Sequence, residues 1–134
     1  MKQVSVFAEN KKGAIKEIFD LIAEAGVGVI ASVTYDSAEF GMLRLIVTEP
    51  ERAALVLSEN GYLARITPVL GVRISDENGS LAKMLGILRD MNIDIEYSYL
   101  SFDRETSLPV MVFSCDAMDE VEESLAQRGM TVVG

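Results

Sequence analysis

The chain has 134 residues, 49% of them apolar, which suits one ordinary domain or two very small ones and is too apolar for a disordered segment. Twelve basic residues against twenty-one acidic ones leave a formal charge of −9, which argues against nucleic acid and anionic membrane as partners. One cysteine and no histidine exclude an intrachain disulfide, a thiolate metal cluster and the usual histidine-based catalytic and zinc constellations.

The charge is uneven. Residues 1–69 carry seven basic and nine acidic groups, and residues 70–134 five and twelve. Cys115 lies among Val110, Val112 and Phe113 and reads as a buried, inert thiol. Met1-Lys2-Gln3-Val4-Ser5 has no signal-peptide core and no apolar run reaches membrane-spanning length, so the expected location is cytoplasmic.

Residues 2–8 alternate, with Val4 and Val6 set against Ser5 and Phe7, and predict a first strand. The polar stretch Glu9-Asn10-Lys11-Lys12-Gly13-Ala14-Ile15 follows, and then Ile15, Ile18, Phe19 and Ile22 recur at helical spacing. Gly26 falls where a helix end wants a left-handed residue. Strands are predicted over 27–35 and 41–47, with a turn at 36–40 between them. Pro50 opens a second helix whose inner stripe is Ala53, Val56 and Leu57, ending by Gly61, and 63–69 closes the unit as a strand.

The second half repeats this order. Strands are predicted over 70–74, 93–102, 110–114 and 130–133. One helix carries Leu81, Met84, Leu85, Leu88 and Met91, and another carries Met118, Val121 and Leu125 and ends near Gly129. Gly13 and Gly79 are 66 apart and Gly61 and Gly129 are 68 apart, so several independent landmarks agree on a duplication. Each copy reads β-α-β-β-α-β, the ferredoxin-like α+β unit with two helices on one face of a four-stranded antiparallel sheet. Pro68 marks the boundary, giving domains 1–68 and 69–134. Met42, Leu43, Leu45, Ile46 and Val47, and then Val110 to Phe113, are apolar on both faces of their strands. One set of helices cannot cover both faces, so a homodimer with sheet-to-sheet burial is expected.

The elbow after the first strand recurs as Ser75-Asp76-Glu77-Asn78-Gly79-Ser80-Leu81. Glycine there permits a tight turn, and the helix start leaves N–H groups without partners at the positive end of the dipole. Such an elbow can seat a small anion. The commoner use of a polar side chain at this place is capping.

In its element order, duplication and elbows the chain resembles the ACT-domain family of small-molecule-binding regulatory modules, arranged as a tandem pair. The family's loop, Asn/Asp-x-Pro-Gly-x-Leu, stands here as Asn10-Lys11-Lys12-Gly13-Ala14-Ile15 and Asp76-Glu77-Asn78-Gly79-Ser80-Leu81, with Lys12 and Asn78 in place of proline. The resemblance implies a non-enzymatic protein without cofactor, catalytic residues or metal. An effector, most readily a free amino acid, would be held between neighbouring domains by loop backbone, the loop Asn or Asp, and a polar residue opening the second strand. By position that strand residue is Gly28 in the first copy and Asp94 in the second. A site pairing Asn10 and loop amides of one copy with Asp94 of a neighbouring copy would offer one end to a carboxylate and the other to an amine. The family also implies a regulated enzyme as partner, such as an amino-acid biosynthetic enzyme or an acyl-CoA ligase.

Other residues have blander readings beside their functional ones. Lys11 and Lys12 can attract an anion or stay solvated, Tyr97 and Tyr99 can line a pocket or pack a sheet, and Ser32 and Ser98 occupy matching strand positions. A rival reading is a scaffold for protein–protein contact whose pockets hold no ligand, favoured by the absent proline and by Gly28. A catalytic module acting on acyl phosphates would use arginines such as Arg73 and asparagines such as Asn92, but no basic nest accompanies them. RNA binding lacks the basic, aromatic sheet face it needs.

Overall fold

The computed structural model describes residues 1–9, 12–36 and 40–134. The chain divides into two compact units, one of Lys2–Thr67 and one of Pro68–Gly134 with Met1. The first unit contains β1 (Lys2–Glu9), α1 (Ala14–Glu24), β2 (Val29–Asp36), β3 (Phe40–Val47), α2 (Pro50–Glu59) and β4 (Leu63–Pro68, its last residue across the division). The second contains β5 (Leu70–Arg73), α3 (Ser80–Asp90), β6 (Ile95–Phe102), β7 (Pro109–Cys115), α4 (Met118–Gln127) and β8 (Val132–Val133). The sheets run β2-β3-β1-β4 and β6-β7-β5-β8. Both units are therefore ferredoxin-like, as the duplicated order predicts.

Register fixes which face the helices cover. Val4 pairs with Leu45 and Val6 with Leu43, and all four join Ile18 and Ile22 of α1 and Leu57 of α2 in the first core. In the second unit Leu70 pairs with Phe113 and Val72 with Met111, and these meet Met84 and Leu88 of α3 and Val121 and Leu125 of α4. Period-two strands and 3.6-residue helices each turn one apolar stripe to the same layer.

The other face is treated differently. Gln3 and Ser5 are buried on β1; Gln3 Nε2 donates to Ser5 Oγ at 3.0 Å, and the Ser5 and Thr67 hydroxyls pair at 2.9 Å. Val110 and Val112, for which the sequence predicts cover by a second copy, are 2% and 0% exposed in the chain alone.

Three strands start later than propensity predicts, and the helix ends explain why. Val27 donates to Ile22 O, Tyr62 to Leu57 O, Ile93 to Leu88 O and Met130 to Leu125 O. Each closes a helix in a Schellman turn, with Gly26, Gly61, Asn92 and Gly129 in the left-handed position before it. An N–H committed to a helix end cannot also pair in a ladder. So β2 begins at Val29 rather than 27, β6 at Ile95 rather than 93, and β8 at Val132 rather than 130.

Candidate functional site

Both elbows have the same backbone. Gly13 takes φ 86°, ψ −3° and Gly79 takes φ 87°, ψ −4°. A Cβ on either would meet nothing within 4 Å, so glycine is required there by the sign of φ and not by crowding. Gly13 O accepts from Glu17 at 3.0 Å, and Gly79 O from Lys83 at 2.9 Å, which starts each helix. Among the described residues no side chain caps α1 or α3. Asp76 does not act as the cap that its position allows; Ser80 N donates to Glu77 O at 3.2 Å, and the N–H groups that follow it in the first turn of α3 keep their claim on an acceptor.

In the first elbow, Asn10 and Lys11 lie outside the described residues. Lys12 and Gly13 are exposed, Ala14 is buried, and Ile15 is 45% exposed. In the second, Asp76, Glu77, Asn78 and Gly79 are all exposed, Ser80 is hydroxyl-paired with Ser75, and Leu81 packs on the core. The second elbow thus presents two carboxylates to solvent.

Asp94 is exposed in the segment before β6. It does not meet the elbow of its own unit. Arg73, at the elbow end of β5, is level with Val110, whereas Ile95 is level with Cys115 at the other end of β7. The length of β6 places about 20 Å between them. The first unit repeats this separation: Glu9 is level with Phe40 and Val29 with Val47. There, Gly28 N donates to Thr48 Oγ1 at 2.9 Å and Gly28 O accepts from Thr48 N at 2.9 Å.

Lining residues that the sequence reading left out come from distant elements. A cleft of about 400 Å³ beside the first elbow includes Ala14, Glu17, Asn60 and Tyr62. Burial, and then a hydrogen bond to Glu17, push the Tyr62 phenol above its ordinary pKa. A second cleft, about 520 Å³, joins the second elbow to Leu85, Leu100 and Pro109.

The remaining candidates serve structure. Arg73 is paired with Asp103, whose other oxygen accepts from Glu105 N at 2.8 Å. The Arg73 guanidinium, followed by the turn N–H groups, holds the Asp103 carboxyl below the usual range. Asn92 is the left-handed residue ending α3. Burial, then Glu96 and Asp116, raise the pKa of the Cys115 thiol, which is 3% exposed. Tyr97 and Tyr99 share a half-buried face with Ser114 and Val112, and Ser32 and Ser98 are exposed on edge strands. Among the described residues no group of three or more His, Cys, Asp or Glu could hold a metal, and no helix is long and apolar enough to cross a membrane.

The sequence profile of the ACT domain pair matches residues 1–134. No curated protein matches the chain. Among solved structures, protein BT0572 from Bacteroides thetaiotaomicron is 32% identical, with a TM-score of 0.88 over 98% of this chain and 90% of that one. The ligand-free regulatory subunit of aspartate kinase from Thermus thermophilus is 16% identical, with a TM-score of 0.67 over 95% and 91%. The corresponding subunit from Thermus flavus is 17% identical, with a TM-score of 0.56 over 84% and 80%. The last two share the fold.

Proposed function

The chain belongs to the ACT-domain family as a pair of such domains, which are regulatory and non-catalytic modules, and on that premise we propose that it is a sensor of a free amino acid. The observation that supports this reading is the pair of elbows with matching left-handed glycines. In this reading the ligand carboxylate accepts from amides of Gly13, Ala14 and Ile15 in one unit and of Gly79 and Leu81 in the other, where Ser80, its N–H held by Glu77 O, lines the seat. The sequence adds Asn10, Lys11 and Lys12 to the first seat and Asp76, Glu77 and Asn78 to the second. Because Asp94 lies far from its own elbow, it completes a seat only on a second molecule, so a homodimer is part of the proposal. The edge strands β2 and β6, with exposed Tyr35 and Phe102, are the margins at which two chains can meet.

Ligand binding would shift the balance between two arrangements through different affinities for each. The reader of that shift is a cytoplasmic metabolic enzyme, such as an amino-acid biosynthetic enzyme or an acyl-CoA ligase. The aspartate kinase regulatory subunits that share the fold support an enzyme partner. The rival, a scaffold without ligand, is favoured at one place: Gly28 has no side chain and both its backbone groups are taken by Thr48.

A thermal-shift screen of the full chain against the common amino acids at millimolar concentration separates the two readings. The sensor gives a rise with at least one amino acid, lost in the Asn10→Ala, Asp76→Ala double variant. A flat response to every amino acid favours the scaffold.

A further inference from the structure

Gly71 is unlike the elbow glycines. It lies inside β5 with a backbone conformation open to any residue, so no turn asks for it. Its neighbours Leu70 and Val72 belong to the core, which turns Gly71 to the face without helices. A glycine inside a strand marks a place where something else comes close. Here that is Met1: a Cβ on Gly71 would lie 2.6 Å from Met1 Cε and 3.1 Å from Met1 Sδ, and 3.0 Å from Val133 Cγ2.

Register shows what the Met1 side chain rests on. Gly71 is level with Val112 on β7 and with Val133 on β8, and residues paired across strands share a face. Met1 therefore occupies the gap that glycine leaves in a row between two valines. Its backbone is tied down beside them. Val69 N donates to Met1 O at 3.0 Å, and a Cβ on Gly134 would lie 3.5 Å from Met1 N. Residue 1 accordingly belongs with Pro68–Gly134, whereas Lys2, one peptide bond further on, belongs to the other unit.

We infer that Met1 is a releasable strap of the second unit, with Gly71 as its socket. Docked, it fills the row and takes the Val69 N–H; released, it leaves the socket and that N–H open. One backbone hydrogen bond and one half-buried side chain hold it, so it opens far more readily than the core beneath. An unbranched thioether suits such an irregular gap. Whatever displaces that side chain is felt at β5, far along the chain from residue 1. The strap is independent of the sensor reading.

The test is spectroscopy of the full chain labelled at its methionine methyls and backbone amides. Wild type shows an Overhauser contact between the Met1 methyl and a Val133 methyl, with the Val69 amide protected from hydrogen exchange. In Gly71→Ala the new Cβ takes the seat, and the atoms that must give way are side-chain ends, so the variant folds, as circular dichroism checks. There the Met1 methyl loses its contact, and Val69 exchanges at least about tenfold faster by local opening. Met1→Ala, made behind a leader that is cleaved off, speeds Val69 in the same way while the amides of α3 and α4 keep their protection. If Gly71→Ala fails to fold, the wild-type contact and Met1→Ala decide. Absence of the Met1–Val133 contact in wild type overturns the strap. So does Val69 exchange unchanged by Met1→Ala, or exchange that quickens equally through α3 and α4, since the whole unit is then opening.

Discussion

Gly13 and Gly79 hold the two elbows in the left-handed region, and the open space around each leaves backbone strain as the whole penalty for a side chain. Gly79→Ala should therefore lower stability by about 1–2 kcal/mol, read as a lower urea midpoint with an unchanged slope. Ala117 is the converse case: an alanine at φ 53° just before α4. Ala117→Gly relieves that strain and should stabilise by about 0.5–1 kcal/mol, the same curve shifting the other way. Asp103, paired with Arg73, has a depressed pKa, so its contribution is present above the ordinary aspartate range and is lost as pH falls through the folded value. Asp103→Asn should flatten the acid limb of the pH–stability curve, whereas parallel limbs in wild type and variant would show that the pair contributes nothing to it. The glycines were legible because the repeat announces them. The Arg73–Asp103 and Glu17–Tyr62 pairs were not, because nothing local in the sequence marks partners brought together by folding.

The helices were read from their stripes, and most of each stripe faces its core: Ile18 and Ile22, Leu57, Met84 and Leu88, Val121 and Leu125, whereas Ile15 and Leu85, read into the same stripes, are exposed. Leu88 is fully buried in the second core, so Leu88→Ala should cost about 2–5 kcal/mol, measured by denaturant unfolding. Strand starts were the weaker part of the reading. β-rich residues such as Val27 and Ile93 look like ladder members, yet their N–H groups close the preceding helix. Propensity sees the side chain and misses this competition for the backbone. The strands' second faces were legible in kind, as apolar residues that need cover, while the polar link from Ser5 to Thr67 was not visible in the pattern.

At the scale of the whole molecule, duplication explains both what the two units share and where they differ. Fold, elbows and helix ends repeat at offsets of 66 and 68, while the charge and single positions have diverged, with Thr34 against Leu100 and Glu17 against Lys83. A ligand held at a hundredfold its Kd would add about 2.7 kcal/mol to stability, a rise of several degrees for a chain of this size. Heat alone does not say where it binds. Amide nitrogen–proton correlation spectra of the full chain, recorded while the stabilising amino acid is added, read the elbow donors directly. The account predicts that the largest shifts fall on the amides of Gly13, Ala14 and Ile15 or of Gly79, Ser80 and Leu81. Saturable shifts confined to other parts of the chain, or unchanged spectra with every common amino acid, would contradict it.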